Sequence, residues 1–370
     1  MSDSPEFLIV ALSGRALASA AQRAGRRVAV VDLFADDDTR RLAVDTVRVA
    51  GRLGTGFDAG ALQDACRRFP GLPLVPGAGF EHAPHLLARI ARGRRLLGTP
   101  PATVRTLKDP LRFARLLARL GVPHPETRLD RPPVARGWLT RQRGGAGGEH
   151  IRRGVHPGAS RFFQRIVPGA PYAVALLGDG RRARAIAISA QWPDPAPGNP
   201  FRYGGAVAPT DLPPAVARRL IDAAEAVASA AGLVGLGSAD FLVDGEGGFT
   251  LLEINPRPGA TLDILDRPGA PPARTVFALH LAACAGRLPA RPPSPGGPAL
   301  AAAVVYARPR ASVPQDMRWP MLTADLEPAG SRLRRGAPVC TVMAQGATPG
   351  RARAALARKA LAVQTRLDYA

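Results

Sequence analysis

Residues 249–265 read FTLLEINPRPGATLDIL, and the residues directly before them, 238–248, read SADFLVDGEGG. Phe249, Thr250, Leu251, Leu252 and Ile254 make a β-run that stops at Pro256, whose ring cannot continue a ladder. Glu253 and Asn255 lie two residues apart inside that run, so an extended strand turns both side chains to one face. Residues 238–243 read as a second strand, with DGEGG as the turn between the two. A tight hairpin closed by that turn is expected to bring Asp240 opposite Glu253. Two carboxylates facing each other in apolar strands repel, and burial adds a desolvation cost. A cation between them removes both difficulties. Two carboxylates and an amide oxygen are hard ligands suited to Mg²⁺ (or Mn²⁺), and Mg²⁺ bridges readily to substrate phosphates. Just beyond, Arg257 offers a planar fork for a phosphate or carboxylate. The plainer alternative is a strand end whose polar residues reach solvent.

The pattern resembles the closing strands of the ATP-grasp ligases, in which an Asp and then an E-x-N hold the magnesium ions of MgATP. On that resemblance Asp240, Glu253 and Asn255 are the metal ligands. Arg257 is the arginine of the E-x-N-x-R form, which holds a carboxylate or bicarbonate substrate. The resemblance implies a mixed α/β (α+β) chain. It has a Rossmann-like pre-grasp domain over residues 1–98, a two-lobed nucleotide-binding domain over 99–290, and a linker with a small β-rich domain over 291–370.

Upstream, GWLTRQRGGAGGEHI (137–151) joins a short strand to Arg141, Arg143 and a glycine loop, Gly144, Gly145, Ala146, Gly147 and Gly148. Such a loop brings backbone N–H groups to phosphate oxygens without interference from Cβ atoms; taken alone it also fits a flexible turn. In the family a strand ending in lysine precedes a flap of this kind, and Arg141 stands at the lysine position. Lys108, one of only two lysines, opens the segment KDP before a helix. It matches a family lysine that approaches the phosphates, as a compact point charge suits. RFFQRIVPGAPYAVA (161–175) reads as a hairpin around Pro168 and Gly169. The resemblance makes it the hinge between lobes, with the Gln164 side chain and the Arg165 and Val167 backbone at the adenine edge. Arg202, in the loop expected at 201–209, is the basic candidate for closing the acceptor site.

At the N-terminus, FLIVAL (7–12), a helix ending at Gly25 and VAVVDL (28–33) make a β-α-β unit. The glycine fingerprint of a dinucleotide site is missing, so Asp32 reads as a strand-end residue. A further strand at 72–75 runs into GAGFE (77–81). The openings of predicted carboligases of the superfamily, related to biotin carboxylase, are similar in this loop and in DLFADDD (32–38). The tail is similar too, in GAPVCTV (336–342). Residues 290–298 have the composition of a linker, and Cys340 reads as a packing residue.

The chain has 370 residues, 46% of them hydrophobic, which suffices for two or three packed domains. Its formal charge of +21 raises nucleic-acid binding. The arginines, however, are scattered among Ala, Gly and Pro, and 5% aromatics are few for base stacking. Three distant cysteines fit reduced thiols, no run approaches a membrane span, and a cytoplasmic protein is expected. The function these readings imply is ligation. MgATP phosphorylates a carboxylate to an acyl phosphate, and an amine acceptor displaces phosphate. Arg257 and Arg141 are the catalytic candidates, and a homodimer is left open. Relatives of this kind resemble amide-forming enzymes of methanofuran- or methanopterin-type coenzyme assembly. The alternatives are a carboxyphosphate-forming carboligase or a non-catalytic nucleotide- or RNA-binding protein.

Overall fold

The structure is a computed structural model, and it describes residues 4–267, 269–290 and 297–369. The β-α-β unit forms as expected. Phe7–Val10 pairs in parallel with Val28–Asp32 and Leu74–Pro76, and Asp45–Arg48 pairs with Val28–Asp32. Every residue of Val28–Asp32 is buried, as a parallel strand covered on both faces requires. Asp32 accepts the Gly14 amide at 2.9 Å and that of Ala35 at 2.7 Å. It ties the strand end to two loops, as its position suggested.

The main sheet has eight strands in the order Phe249–Asn255, Val234–Val243, Ala170–Asp179, Ala183–Pro193, Tyr203–Ala208, Ala299–Tyr306, Pro338–Gly346 and Thr323–Ala324. The helix Pro214–Ala231 lays Leu220, Ala224 and Val227 against Val174, Leu176, Ala239 and Phe241 in one core. On the other side Leu177, Ile186 and Leu236 share a core with Phe277 and with Ile9 and Val30 of the N-terminal unit. That shared core packs the Rossmann-like sheet against the main sheet. The C-terminal strands Ala299–Tyr306 and Pro338–Gly346 continue the main sheet, and Pro349–Gln364 covers them. Most of the linker expected at 290–298 lies outside the described residues.

A second sheet holds Thr127–Arg128, Arg161–Arg165, Trp138–Gln142 and Arg152–Arg153. This corrects the expected hairpin at 161–175. Arg161–Arg165 pairs with Trp138–Gln142, while Ala170–Asp179 pairs within the main sheet. Pro168 and Gly169 therefore lie on the stretch that joins the two sheets. The segment expected as a loop at 201–209 is mostly the strand Tyr203–Ala208.

Arg15 fastens the N-terminal unit to the rest. Its guanidinium meets Asp263 at 2.5 and 2.6 Å and Asp325 at 3.0 Å, from two remote segments. Asp38 accepts the amides of Asp325 and Leu326 at 2.8 and 3.0 Å. Close by, Asp36 is 3% exposed. Burial, with Asp325, Asp32 and Asp38 adding like charge, pushes its carboxyl up to about 8. The unfolded chain releases that proton at a lower pH than the folded one, so stability falls as pH rises towards 8. Asp36→Asn is expected to gain on the order of 2 kcal/mol over wild type at pH 8 and almost nothing at pH 4, read by urea unfolding.

Candidate functional site

Asp240 does face Glu253, and Asn255 faces Ser238. The register is reached through a bulge. Counting outward from the turn pairs Val243 with Phe249 and Phe241 with Leu251, which would set Asp240 against Leu252; a one-residue shift between Asp240 and Phe241 restores Glu253. The same shift lets Leu251 and Ile254 both enter the core although they are three residues apart. Ala239 and Phe241, in that core, flank Asp240 and turn it to the other face. Asp244 accepts the Gly248 amide at 2.7 Å and closes the turn.

Asn255 donates from Nδ2 to Asp240 Oδ2 at 2.8 Å. Its Oδ1 accepts from Lys108 Nζ at 2.9 Å, and the same ammonium lies 3.5 Å from Glu253 Oε2. Lys108 ends the helix Pro101–Leu107, and Asp109 caps the next helix, Pro110–Arg119, through the amides of Leu111 and Arg112. Two helix ends thus aim the lysine. Arg141, 5% exposed, donates to Gln164 Oε1 at 2.8 Å and to Glu253 Oε2 at 3.1 Å. Burial opposes the Glu253 charge, but Lys108 and then Arg141 outweigh it and hold that carboxyl low. At Asp240 the charges of Lys108 and Arg257 and the Asn255 hydrogen bond are not enough. Burial, then Glu253, push it up.

The donor chemistry fits a hard divalent ion. Asp240, Glu253 and Asn255 put carboxylate and amide oxygens on one face, and protein cations already lie against Glu253 and Asn255. Beside Glu253, Leu107, Phe113, Leu117, Phe162, Gln164 and Leu251 line a narrow cavity of about 40 Å³.

Beside Arg141 the glycine loop folds over the site. Gly144 has φ +67°, and a Cβ on it would lie 2.4 Å from the Glu81 carbonyl oxygen. Gly148 has φ +75°, and its Cβ would meet the Phe201 carbonyl oxygen at 1.8 Å. Only glycine permits both approaches. Arg257, across the crevice, donates from Nε to Glu81 Oε1 at 2.7 Å, while the Gly79 amide binds Glu81 Oε2 at 2.7 Å. Burial works against the Glu81 charge, yet Arg257 and Lys108 hold its carboxyl below the usual range.

Lys108, Arg141, Gly144, Gly145, Gln164 and Glu253 therefore gather at the cavity. Asp240, Asn255, Arg257, Arg165, Val167 and residues 146–148 are not among the lining residues. The Arg165 guanidinium stacks 5.3 Å from the Trp138 ring, and its amide donates to Glu126 O. Arg202 differs from expectation. It stacks 3.7 Å from the Tyr306 ring and binds Asp194 at 2.5 Å, so it pins a loop to the C-terminal strands. Sequence reasoning missed Glu81 as the partner of Arg257, although the GAGFE loop that carries it was visible.

A glycine loop and a cation from the second sheet, a lysine from a helix end and the carboxylate–amide hairpin at the edge of the main sheet thus meet at one crevice. Comparison with known proteins identifies the class. Residues 107–261 match the ATP-grasp domain. The D-alanine–D-alanine ligase of Gloeobacter violaceus is 30% identical over 274 residues, 70% of this chain and 88% of that enzyme. The D-alanine–D-alanine ligase of Bordetella avium is 39% identical over 103 residues, which span 26% of this chain and 32% of that enzyme. Among solved structures, the L-amino acid ligase from Bacillus licheniformis superposes with a TM-score of 0.72 at 14% identity, over 100% of both chains. Biotin carboxylase from Campylobacter jejuni does so with a TM-score of 0.71 at 13% identity, over 95% of this chain and 90% of that one. The chain belongs to the ATP-grasp family, as a carboxylate–amine ligase that uses ATP with Mg²⁺ and releases ADP.

The Gly148 contact is open to test. Gly148→Ala is expected to lift the loop from Phe201, so that trypsin cleaves after Arg143, Arg152 and Arg153 several-fold faster. Global stability should fall by only about 1–2 kcal/mol.

Proposed function

We propose that this enzyme activates a small carboxylate as its acyl phosphate and passes the acyl group to an amine. One observation carries the reading. Lys108 and Arg141 converge on the Asp240–Glu253–Asn255 face while Arg257 stands nearby with one edge fixed by Glu81. In this reading Asp240, Glu253 and Asn255 hold Mg²⁺, which would screen charge on the nucleotide phosphates. Lys108, Arg141 and the amides of residues 144–148 hold the phosphates, and Gln164 serves the adenine side.

Arg257 binds the carboxylate substrate. A carboxylate oxygen forms a bond to the terminal phosphorus as the bond to the bridging oxygen of ADP breaks. The amine nitrogen then bonds to the acyl carbon, phosphate departs with the former carboxylate oxygen, and the nitrogen loses a proton to solvent. The protein's contribution is positioning and fixed positive charge. The crevice lies beside loop 77–81 of the Rossmann-like sheet, at strand C-termini where α/β sheets bind ligands.

The D-alanine–D-alanine ligases and the L-amino acid ligase are named for amino acids, and amino acids belong among both substrates tested. Glutamate addition to a methanofuran- or methanopterin-type coenzyme is the finer form of the proposal, with a cytoplasmic setting. Among the described residues no helix is long and apolar enough to cross a membrane.

The experiment is ADP release with paired carboxylates and amines, followed by product mass. Dependence on both substrates and an amide product are expected. Bicarbonate-dependent release with no amine requirement would favour carboxyphosphate formation instead. Glu253→Gln is expected to lower turnover roughly 100-fold or more with the circular dichroism spectrum unchanged. Unaltered turnover would contradict the assignment.

A further inference from the structure

The second sheet has two faces, and only one of them belongs to the nucleotide crevice. Along Arg161–Arg165 the side chains alternate between the faces. Phe162 and Gln164 line the cavity beside Glu253, whereas Arg161 and Phe163 line a separate hollow on the far side of the sheet. That hollow has a volume of about 200 Å³, against about 40 Å³ for the inner cavity. Leu129, Val155 and Phe163 give it apolar walls, and Arg131 and Arg161 give it charge. Residues 154–158, which form one wall, are held to the sheet by Thr140, a buried residue opposite Phe163. Thr140 Oγ1 donates to Gly154 O at 2.8 Å and accepts the His156 amide at 2.9 Å. Arg161 lies across Gly158, where a Cβ would stand 2.6 Å from its Nε. Among the described residues neither the Arg131 nor the Arg161 guanidinium has a hydrogen-bond or ion-pair partner, although nearby Arg128 is paired with Asp130. Between residues 126 and 167 nine arginines stand against three acidic residues, so the lobe attracts anions.

We propose that this outer hollow is a second binding site, for a small carboxylate with a short hydrocarbon body. Two unpaired guanidinium forks match carboxylate geometry, and the hydrocarbon covers Leu129, Val155 and Phe163. Inorganic phosphate would leave the apolar walls in water, and a neutral hydrocarbon would leave both arginines unpaired. The ligand therefore needs the two parts together. The sheet stands between this hollow and the crevice, so its occupant is not the carboxylate that reacts at Arg257. The inference is independent of the ligase reading, because none of the hollow's lining residues lines the inner cavity.

The test is ligand-observed NMR titration of the full chain, without nucleotide, with hexanoate, acetate, 1-hexanol and inorganic phosphate. It is repeated in Arg131→Ala, Arg161→Ala, the double variant and Arg257→Ala, with thermal unfolding recorded for each. Both outer arginines are exposed, so their removal leaves the fold intact. Wild type is expected to bind hexanoate roughly tenfold more tightly than any of the other three probes. Each single outer variant should lose several-fold in hexanoate affinity, the double variant roughly tenfold or more, and Arg257→Ala nothing. No hexanoate binding by wild type would overturn the proposal, as would unchanged affinity in the double variant. So would a loss confined to Arg257→Ala, which would put the carboxylate in the crevice, or equal affinity for hexanoate and inorganic phosphate. MgADP affinity in the double variant should equal that of wild type, and a matching loss of MgADP would also overturn a separate outer site.

Discussion

Asp240 and Glu253 are forced to face one another across a β-ladder, and the surrounding structure answers that repulsion. Unit charges about 4 Å apart near a protein surface interact by roughly 4 kcal/mol, enough to matter against a whole domain's stability. The compensating charges are brought from elsewhere in the chain. Lys108 comes from the end of Pro101–Leu107, and Arg141 comes from a strand of the other sheet. Electrostatic need at the hairpin therefore joins the two sheets as well as shaping the site. At Asp240, burial and Glu253 outweigh Lys108 and Arg257 and push the carboxyl up, so an added divalent charge would favour its ionised form.

The other domain contacts follow the same logic with different partners. Glu81 reaches from the Rossmann-like sheet to Arg257, and Arg15 reaches from its first helix to Asp263 and Asp325. Breaking a buried pair by removing one partner leaves an uncompensated charge, so these contacts resist relative motion of the units. The flap is built differently. Its Gly144 and Gly148 approach the backbone of residues 81–82 and 201 so closely that a Cβ would clash, so this contact is made by backbone alone.

Much of this was legible in the sequence because the signals were local. The alternation that put Glu253 and Asn255 on one face, the β-α-β opening, the KDP helix start and the glycine loop each depend on neighbouring residues. The bulge beside Asp240 was not legible, for register shifts depend on which apolar residues the core accepts, here Leu251 with Ile254. Arg161–Arg165 and Ala170–Asp179 looked like a hairpin because a proline–glycine pair joined two β-runs. Their separation into two sheets is a tertiary choice. Arg202 looked available because its partners, Asp194 and Tyr306, are contacts of the folded chain. Glu81 was hidden for the same reason, since its partner lies 176 positions away.

The central claim is that the oxygen atoms of Asp240, Glu253 and Asn255 receive a divalent ion that accompanies the nucleotide. A crystal structure of the enzyme with MgADP tests it most directly. The account predicts a metal about 2.1 Å from oxygens of these residues and of the phosphates, with the flap closed over it. A nucleotide bound away from the hairpin, or a metal held by phosphates and water with none of these side chains in its coordination sphere, would contradict it.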